Sequence, residues 1–152
     1  MTLSNSFGIS ASALTAQRLR MDVISSNIAN AETTRASVVN GEVVPYRRKM
    51  VVLSPNESNF SSVLQSQLST ESAKGIGNGV RVKAIKEDSS PLKLVYNPTH
   101  PDANAQGYVS MPNVEIAKEM VDMMAASRSY EANITALNAS KSMILKALEI
   151  GK

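Results

Sequence analysis

The chain has 152 residues, about the length of one domain, and 43% of them are hydrophobic, 4% aromatic and 19% charged, for a net charge of +3. With no Cys and one His, it excludes disulfide scaffolds, thiol nucleophiles, Fe–S clusters and metal sites rich in Cys or His. The charges are spread almost evenly and aromatic side chains are few, so nothing supports nucleic-acid binding; no apolar run approaches the roughly 18 residues of a membrane helix, and Met1–Phe7 shows neither the basic nor the apolar region of a cleavable signal.

Residues 7–31 read as a helix, with Ser4 or Ser6 as its cap. Phe7, Leu14, Met21 and Ile28 are spaced by seven, and Ser10, Gln17, Ile24 and Ala31 follow three residues behind. That is a heptad seam, polar at its start and apolar at its end. Further on, Val38-Val39-Asn40-Gly41-Glu42-Val43-Val44 places Asn-Gly between β-branched pairs, the signature of a hairpin. Pro45 limits further pairing, and Arg48–Leu53 predicts another strand. Residues 54–79 hold Pro55, several Ser and Asn, and Gly75, Gly77 and Gly79. They read as a flexible loop with a helical turn near Val63, Leu64 and Leu68. Gly79–Lys86 alternates apolar and basic residues, as a half-buried strand does. Leu92–Tyr96 predicts one more strand, and Asn97–Asp102, with two prolines, a rigid turn.

Residues 113–149 predict a single long helix, with Asn113 as N-cap and Glu115 and Glu119 at its positive end. Its seam joins Ile116, Met123, Tyr130, Leu137 and Ile144 with Met120, Ser127, Ile134, Lys141 and Leu148. A helix of about 37 residues spans roughly 55 Å, and the N-terminal one only about 37 Å. Paired antiparallel, they leave roughly 15–20 Å of the longer helix uncovered. Many alanines permit close approach on more than one face. Two readings follow: a protomer that completes its core by assembly, and a self-sufficient helical hairpin with a β insert. The expected fold is therefore mainly α. Its N- and C-terminal helices (1–35 and 108–152) pair as an antiparallel coiled coil, and a small β-rich domain is inserted between them (36–107).

The candidates for chemistry have plainer readings. His100 lies between Pro98 and Pro101 and reads as a turn residue, since Asp102 is the only carboxylate beside it. Gly75–Gly79 lacks the Lys-Ser/Thr and flanking elements of a phosphate loop. Arg47-Arg48-Lys49 reads as a solvated strand edge that discourages pairing, with contact to a neighbouring subunit as the sharper alternative. Glu115, Glu119 and Asp122 read as exposed carboxylates complementing the helix dipole. Asn27, Asn30 and Asn133 interrupt apolar helices and read as register-setting hydrogen bonds.

Ser12–Thr34, with its Ser25-Ser26-Asn27-Ile28-Ala29-Asn30 core, resembles the N-terminal signature of bacterial flagellar rod and hook proteins. Pro45–Lys49, Asn97–Ala103, Gly107–Val114, Glu119–Met123, Ser127–Asn133 and Ala139–Gly151 resemble the proximal-rod members of that axial family. The resemblance implies a structural subunit that is not an enzyme and carries no cofactor or metal. It would be exported without cleavage by the flagellar type III apparatus and polymerise into the hollow rod of the basal body, which transmits torque to the hook. Its partners would be other copies, other rod proteins, the MS ring and the export gate, with no nucleic acid and no small-molecule substrate. Lack of Cys suits passage through a narrow channel. In this setting Leu14, Met21, Ile24, Ile28, Ile116, Met120, Met123, Tyr130, Ile134, Leu137, Ile144 and Leu148 form the seam within a subunit. Asn27, Asn30, Arg47, Arg48, Tyr108, Pro112, Asn113, Arg128, Glu131 and Asn133 set register or bridge subunits. The alternative is a soluble helical-hairpin binding module that does not polymerise.

Overall fold

The computed structural model describes residues 3–39, 42–56 and 79–150. Helix α1 runs Leu3–Ala29 and α2 Ile116–Ile150. Between them lie β1 (Ser37–Val39), β2 (Glu42–Val44), β3 (Lys49–Pro55), β4 (Val80–Glu87), β5 (Lys93–Tyr96) and β6 (Tyr108–Met111). The architecture is thus mixed, where the sequence suggested a mainly α chain. Each strand pairs with one neighbour: β1 with β2, β3 with β4, β5 with β6. The reason is chemical punctuation. Pro45, Pro55, Pro91, Pro98 and Pro112 lie at or near strand ends, where proline cannot donate to a ladder.

The described residues within 1–18, 52–84 and 127–152 cluster as one compact unit, and those within 19–51 and 85–126 as a second. In the second unit the buried apolar set is Val23, Ile24, Tyr46, Val109, Val114 and Ala126, joined by Pro112. In the first, Ala16 is buried. There Ser12 Oγ donates to Ile9 O and accepts from Val80 N at 3.1 Å, which brings the start of β4 against α1. Gly79 (φ +88°) makes that approach possible, since a Cβ would run into Ser12 Oγ.

The predicted hairpin forms with Val38 opposite Val43 and Val39 opposite Glu42, antiparallel; Asn40-Gly41 lies outside the described residues. In β4 half-buried Val80, Val82 and Ala84 alternate with exposed Arg81, Lys83 and Ile85, the expected period of two. The helical turn near Val63, Leu64 and Leu68 and the body of the 54–79 loop lie outside the described residues, as does Gly151. Ser4 and Ser6 fall inside α1 rather than capping it. At the opposite, C-terminal end of α1, Asn30 Nδ2 donates to Ser26 O at 2.9 Å. Strand β6 has no counterpart in the sequence reading. It pairs antiparallel with β5, Tyr96 opposite Tyr108 and Leu94 opposite Ser110. Among the described residues no helix is long and apolar enough to cross a membrane.

The β5–β6 turn depends on Gly107. Its φ is +81°, and a Cβ there would lie 2.9 Å from Tyr96 Cε2. Its N–H bonds Asn104 O, and its carbonyl accepts from Asn97 N. Gly107→Ala should therefore lower stability by about 1–2 kcal/mol through the left-handed backbone alone, more if Tyr96 cannot yield. Urea unfolding followed by tyrosine fluorescence checks this, and an unchanged midpoint would count against the reading.

Candidate functional site

The most completely satisfied polar cluster in the second unit begins at Asn27, on the last turns of α1. Its side chain is 1% exposed. Nδ2 donates to Lys49 O and to Glu119 Oε2, each at 2.9 Å. Oδ1 accepts from Lys49 N at 2.9 Å and from Tyr46 OH at 3.0 Å. Two donors and two lone pairs are all an amide has, so Asn27 is saturated. Its amide meets both backbone groups of Lys49 as a neighbouring strand would, and so holds the start of β3 against the helix.

Glu119, one turn into α2, is 0% exposed. One oxygen accepts from Asn27, the other from Arg48 Nε at 2.5 Å. Arg48 also faces Asp122 at 3.4 Å and Asp88 at 3.7 Å, and Asp122 lies 3.9 Å from Arg20. The Arg48 backbone N–H donates to Asn113 Oδ1 at 2.8 Å, while Asn113 Nδ2 reaches Asp88 O and Ser90 O. Burial of the guanidinium opposes its charge, but the Glu119 hydrogen bond and the charges of Glu119, Asp122 and Asp88 outweigh it and raise the Arg48 pKa. Arg48 is thus a permanent cation. Pro45 shapes the approach: it ends β2, and Tyr46 N–H then bonds Thr33 O, aiming residues 46–49 across the helix.

A second polar cluster ties the exit of α1 to the β5–β6 turn. Arg35 grips Asp102 Oδ1 with Nε at 2.6 Å and a terminal nitrogen at 2.5 Å, and Thr34 donates to Oδ2 at 2.9 Å. The hydrogen bonds from Arg35 and then Thr34, against some burial, hold the Asp102 carboxyl below its usual range. Asp88 is likewise lowered, first by the Ser90 side chain and backbone N–H. His100 sits in the turn: its Nδ1 accepts from Asp102 N at 3.1 Å.

The structure corrects several expectations. Arg47-Arg48-Lys49 is not a solvated edge: the Arg48 side chain is 14% exposed, and Arg47 bonds Asp88 O. Glu119 does not serve the helix dipole from solvent, although Glu115 is exposed. Asn113 does not cap α2, because its amide is used by Arg48, Asp88 and Ser90. Along the expected seam, Ile24 is buried, and Leu14, Met21, Ile28, Met123, Tyr130, Leu137 and Ile144 are half-buried. Ile116, Met120, Ile134 and Leu148 are exposed. Asn30 and Asn133 fold back on their own helices, onto Ser26 O and Ser129 O. Pro112 is buried, Tyr108 stacks edge-on with Tyr96 at 5.3 Å, and Arg128 and Glu131 are exposed. Tyr46, Lys49, Asp88 and Asp122 join the network without having been anticipated. Their signal was a polar residue on the apolar period of each helix, Asn27 and Glu119. Among the described residues, no three metal-ligating side chains converge.

Residues 7–36 match the family described as flagella basal body rod protein, and residues 105–150 match the flagellar basal body rod FlgEFG protein C-terminal family. The chain is 62% identical to flagellar basal-body rod protein FlgC of Bacillus subtilis over the whole of both chains. It is 46% identical to FlgC of Borreliella burgdorferi, over 99% of this chain and 98% of that one. Against FlgC of Salmonella typhimurium the identity is 45% over both full lengths. These relatives define a structural rod subunit, not an enzyme. The chain belongs to the flagellar basal-body rod protein family, and within it to the FlgC type.

The geometry can be tested at both clusters. Arg48→Met strands a buried carboxylate and should cost about 3–5 kcal/mol, whereas adding Glu119→Met should recover most of it; chemical denaturation of the two single variants and the double variant measures the coupling. Because the folded Asp88 and Asp102 pKa values lie below the ordinary 3.8, their contribution is full above that value and lost as pH falls through the lowered ones. Asp102→Asn should therefore lower stability at neutral pH and flatten the acid limb of a Tm-against-pH curve. An unaltered acid limb would argue against the Asp102 part.

Proposed function

We propose that the chain polymerises through its terminal helices into the hollow proximal rod of the flagellar basal body. In this reading residues 1–35 and 108–152 pair as an antiparallel coiled coil in an inner layer, and residues 36–107 form an outer β-rich domain. The partners are other copies and other rod proteins, with the MS ring and export gate at the base. The chain arrives through the type III apparatus without a cleaved signal, and the assembled shaft transmits torque. Lack of Cys supports such passage, since no cross-link can form on the way.

One observation carries the reading. Helix α2 has 35 residues, roughly 52 Å of rod, yet its buried side chains are Glu119 and Ala126. Ile116, Met120, Val121, Met124, Ile134, Met143, Leu145 and Leu148 are all exposed. A helix apolar on several sides is surrounded in its working state, and contiguous exposed apolar surface marks an interaction site. Arg128 and Glu131 belong to the subunit contacts of this reading, being exposed and without an ion pair among the described residues. Asn27, Arg48 and Asn113 act within the subunit, holding the helices in register.

Met143→Asp and Leu148→Asp should change the stability of the lone chain by no more than about 0.5 kcal/mol, as surface substitutions do. Each should nevertheless abolish rod assembly and motility, because assembly buries the new charge. Concentration-dependent sedimentation with rod partners present reads the outcome. A chain that stays monomeric there, with folded termini, would instead be the non-polymerising binding module.

A further inference from the structure

The second unit carries two adjoining clefts that the polar network does not fill. The first, of about 510 Å³, lies where the chain leaves α1 and passes from β2 to β3, with Arg35, Tyr46, Arg47, Lys49 and Glu87 in its lining. The second, of about 420 Å³, is lined by Val23, Ser26, Ile85 and Lys86, and shares Lys49 and Glu87 with the first. Their character follows from Arg48. Successive side chains of an extended segment face opposite ways; Arg48 is drawn in to Glu119, and Arg47 and Lys49 both line the first cleft. The charges there do not cancel. Arg35 is spent on Asp102, and Asp88 on Arg48. Arg47, Lys49 and Lys86 remain against Glu87, and none of these four makes an ion pair among the described residues. Two of the cations are also held in place. Arg47 Nη1 donates to Asp88 O at 3.4 Å, and Lys49 Nζ sits 5.6 Å from the centroid of the Tyr46 ring. A charge that only keeps a sheet edge soluble needs no such support, whereas a binding charge loses less freedom if it is already ordered. The second cleft adds an apolar patch, with Val23 buried and Ile85 48% exposed.

We infer that the joined clefts dock an extended acidic segment of a different protein, of the pattern acid-x-acid-x-apolar. Arg47 and Lys49 are two residues apart, roughly 6.5–7 Å along an extended chain, and carboxylates at alternate positions of a partner strand repeat at that same distance. Lys49 borders both clefts, so a segment running past it next meets Val23 and Ile85 and places an apolar side chain there. A second copy does not supply this pattern, because none of the 13 acidic residues of the chain has another acidic residue two positions away. The inference does not depend on polymerisation through the helices.

The test uses the full-length chain and fluorescence anisotropy of a labelled peptide, Gly-Glu-Thr-Glu-Thr-Val-Gly. It should bind saturably, about fivefold or more tighter than its isomer Gly-Glu-Glu-Thr-Thr-Val-Gly, in which the carboxylates no longer alternate. Arg47→Gln with Lys49→Gln should weaken binding about tenfold, whereas Lys118→Gln, outside both clefts, should leave it unchanged. Glu87→Gln should tighten binding, a gain that a damaged fold would not give. Absence of saturable binding, equal affinity for the two peptides, or an unchanged affinity in the Arg47 and Lys49 double variant or in Glu87→Gln would overturn the inference. So would displacement of the peptide by an equal concentration of pyrophosphate, which would make this a simple anion site. A change in self-association of the lone chain on Lys49→Glu would overturn it as well, by making a second copy the occupant.

Discussion

The arrangement of the second unit depends on one buried carboxylate. Glu119 is fully withdrawn from water, and a withdrawn charge is tolerated only when paired and hydrogen-bonded. That requirement recruits the rest. Arg48 must lie against it, which pulls the Pro45–Lys49 segment across the helices. Asn27 must meet the other oxygen, which fixes the last turns of α1. Asn113 must receive the Arg48 N–H, which sets where the chain enters α2. A buried ion pair of this kind adds little net stability compared with well-packed apolar residues. Its contribution is uniqueness, since a shifted or rotated helix would leave charges stranded.

The strands lean on this framework. Among the described residues each sheet has two strands, and a lone two-stranded sheet is marginal in water. β3 gains a substitute neighbour at Lys49, where the Asn27 amide takes both backbone groups. β5 and β6 are closed by the Gly107 turn, and Arg35 and Thr34 anchor that turn through Asp102 on the chain leaving α1. Lys93 Nζ adds a bond to Val114 O at the approach to α2. The small sheets are therefore held at a few polar points and by the buried Val109 of β6.

Much of this was legible because it is local. Seven-residue spacing marked both helices, Asn-Gly marked the β1–β2 hairpin, and alternation marked β4. The short segment Tyr108–Met111 carries only four residues of pattern and stayed hidden until its partner β5 was known. The network was hidden for a different reason: Asn27 and Glu119 are 92 positions apart. A Glu near a helix start looks like dipole complementation, and Arg-Arg-Lys looks like a solvated edge. Neither residue type signals burial, and only a long-range partner reverses the reading. The motif stretches Ser25–Asn30, Pro45–Lys49 and Glu119–Met123 each contribute members of the polar network, among them Asn27, Tyr46, Arg48, Lys49 and Glu119.

A single chain would gain by exchanging the buried charge for the exposed methionines and valine of α2. That this chain does not points beyond the single chain. Local rules are broken where function requires it, and here the breach runs in one direction, with polar groups held in and apolar groups held out. In an assembly the sign of the energy changes. Each outward apolar side chain that meets a neighbour contributes about 1.5–3 kcal/mol if fully covered, and α2 presents many along its length. Folding stabilities are only about 5–15 kcal/mol, so contacts of that size between subunits rival what holds one subunit together. The buried network then has a mechanical meaning on the rod reading. On that reading, force crosses from one copy to the next through the apolar helix faces. Within the second unit α1 and α2 are joined by the Asn27–Glu119 bond and through Arg48, directional charge-assisted contacts that on the same reading resist rotation.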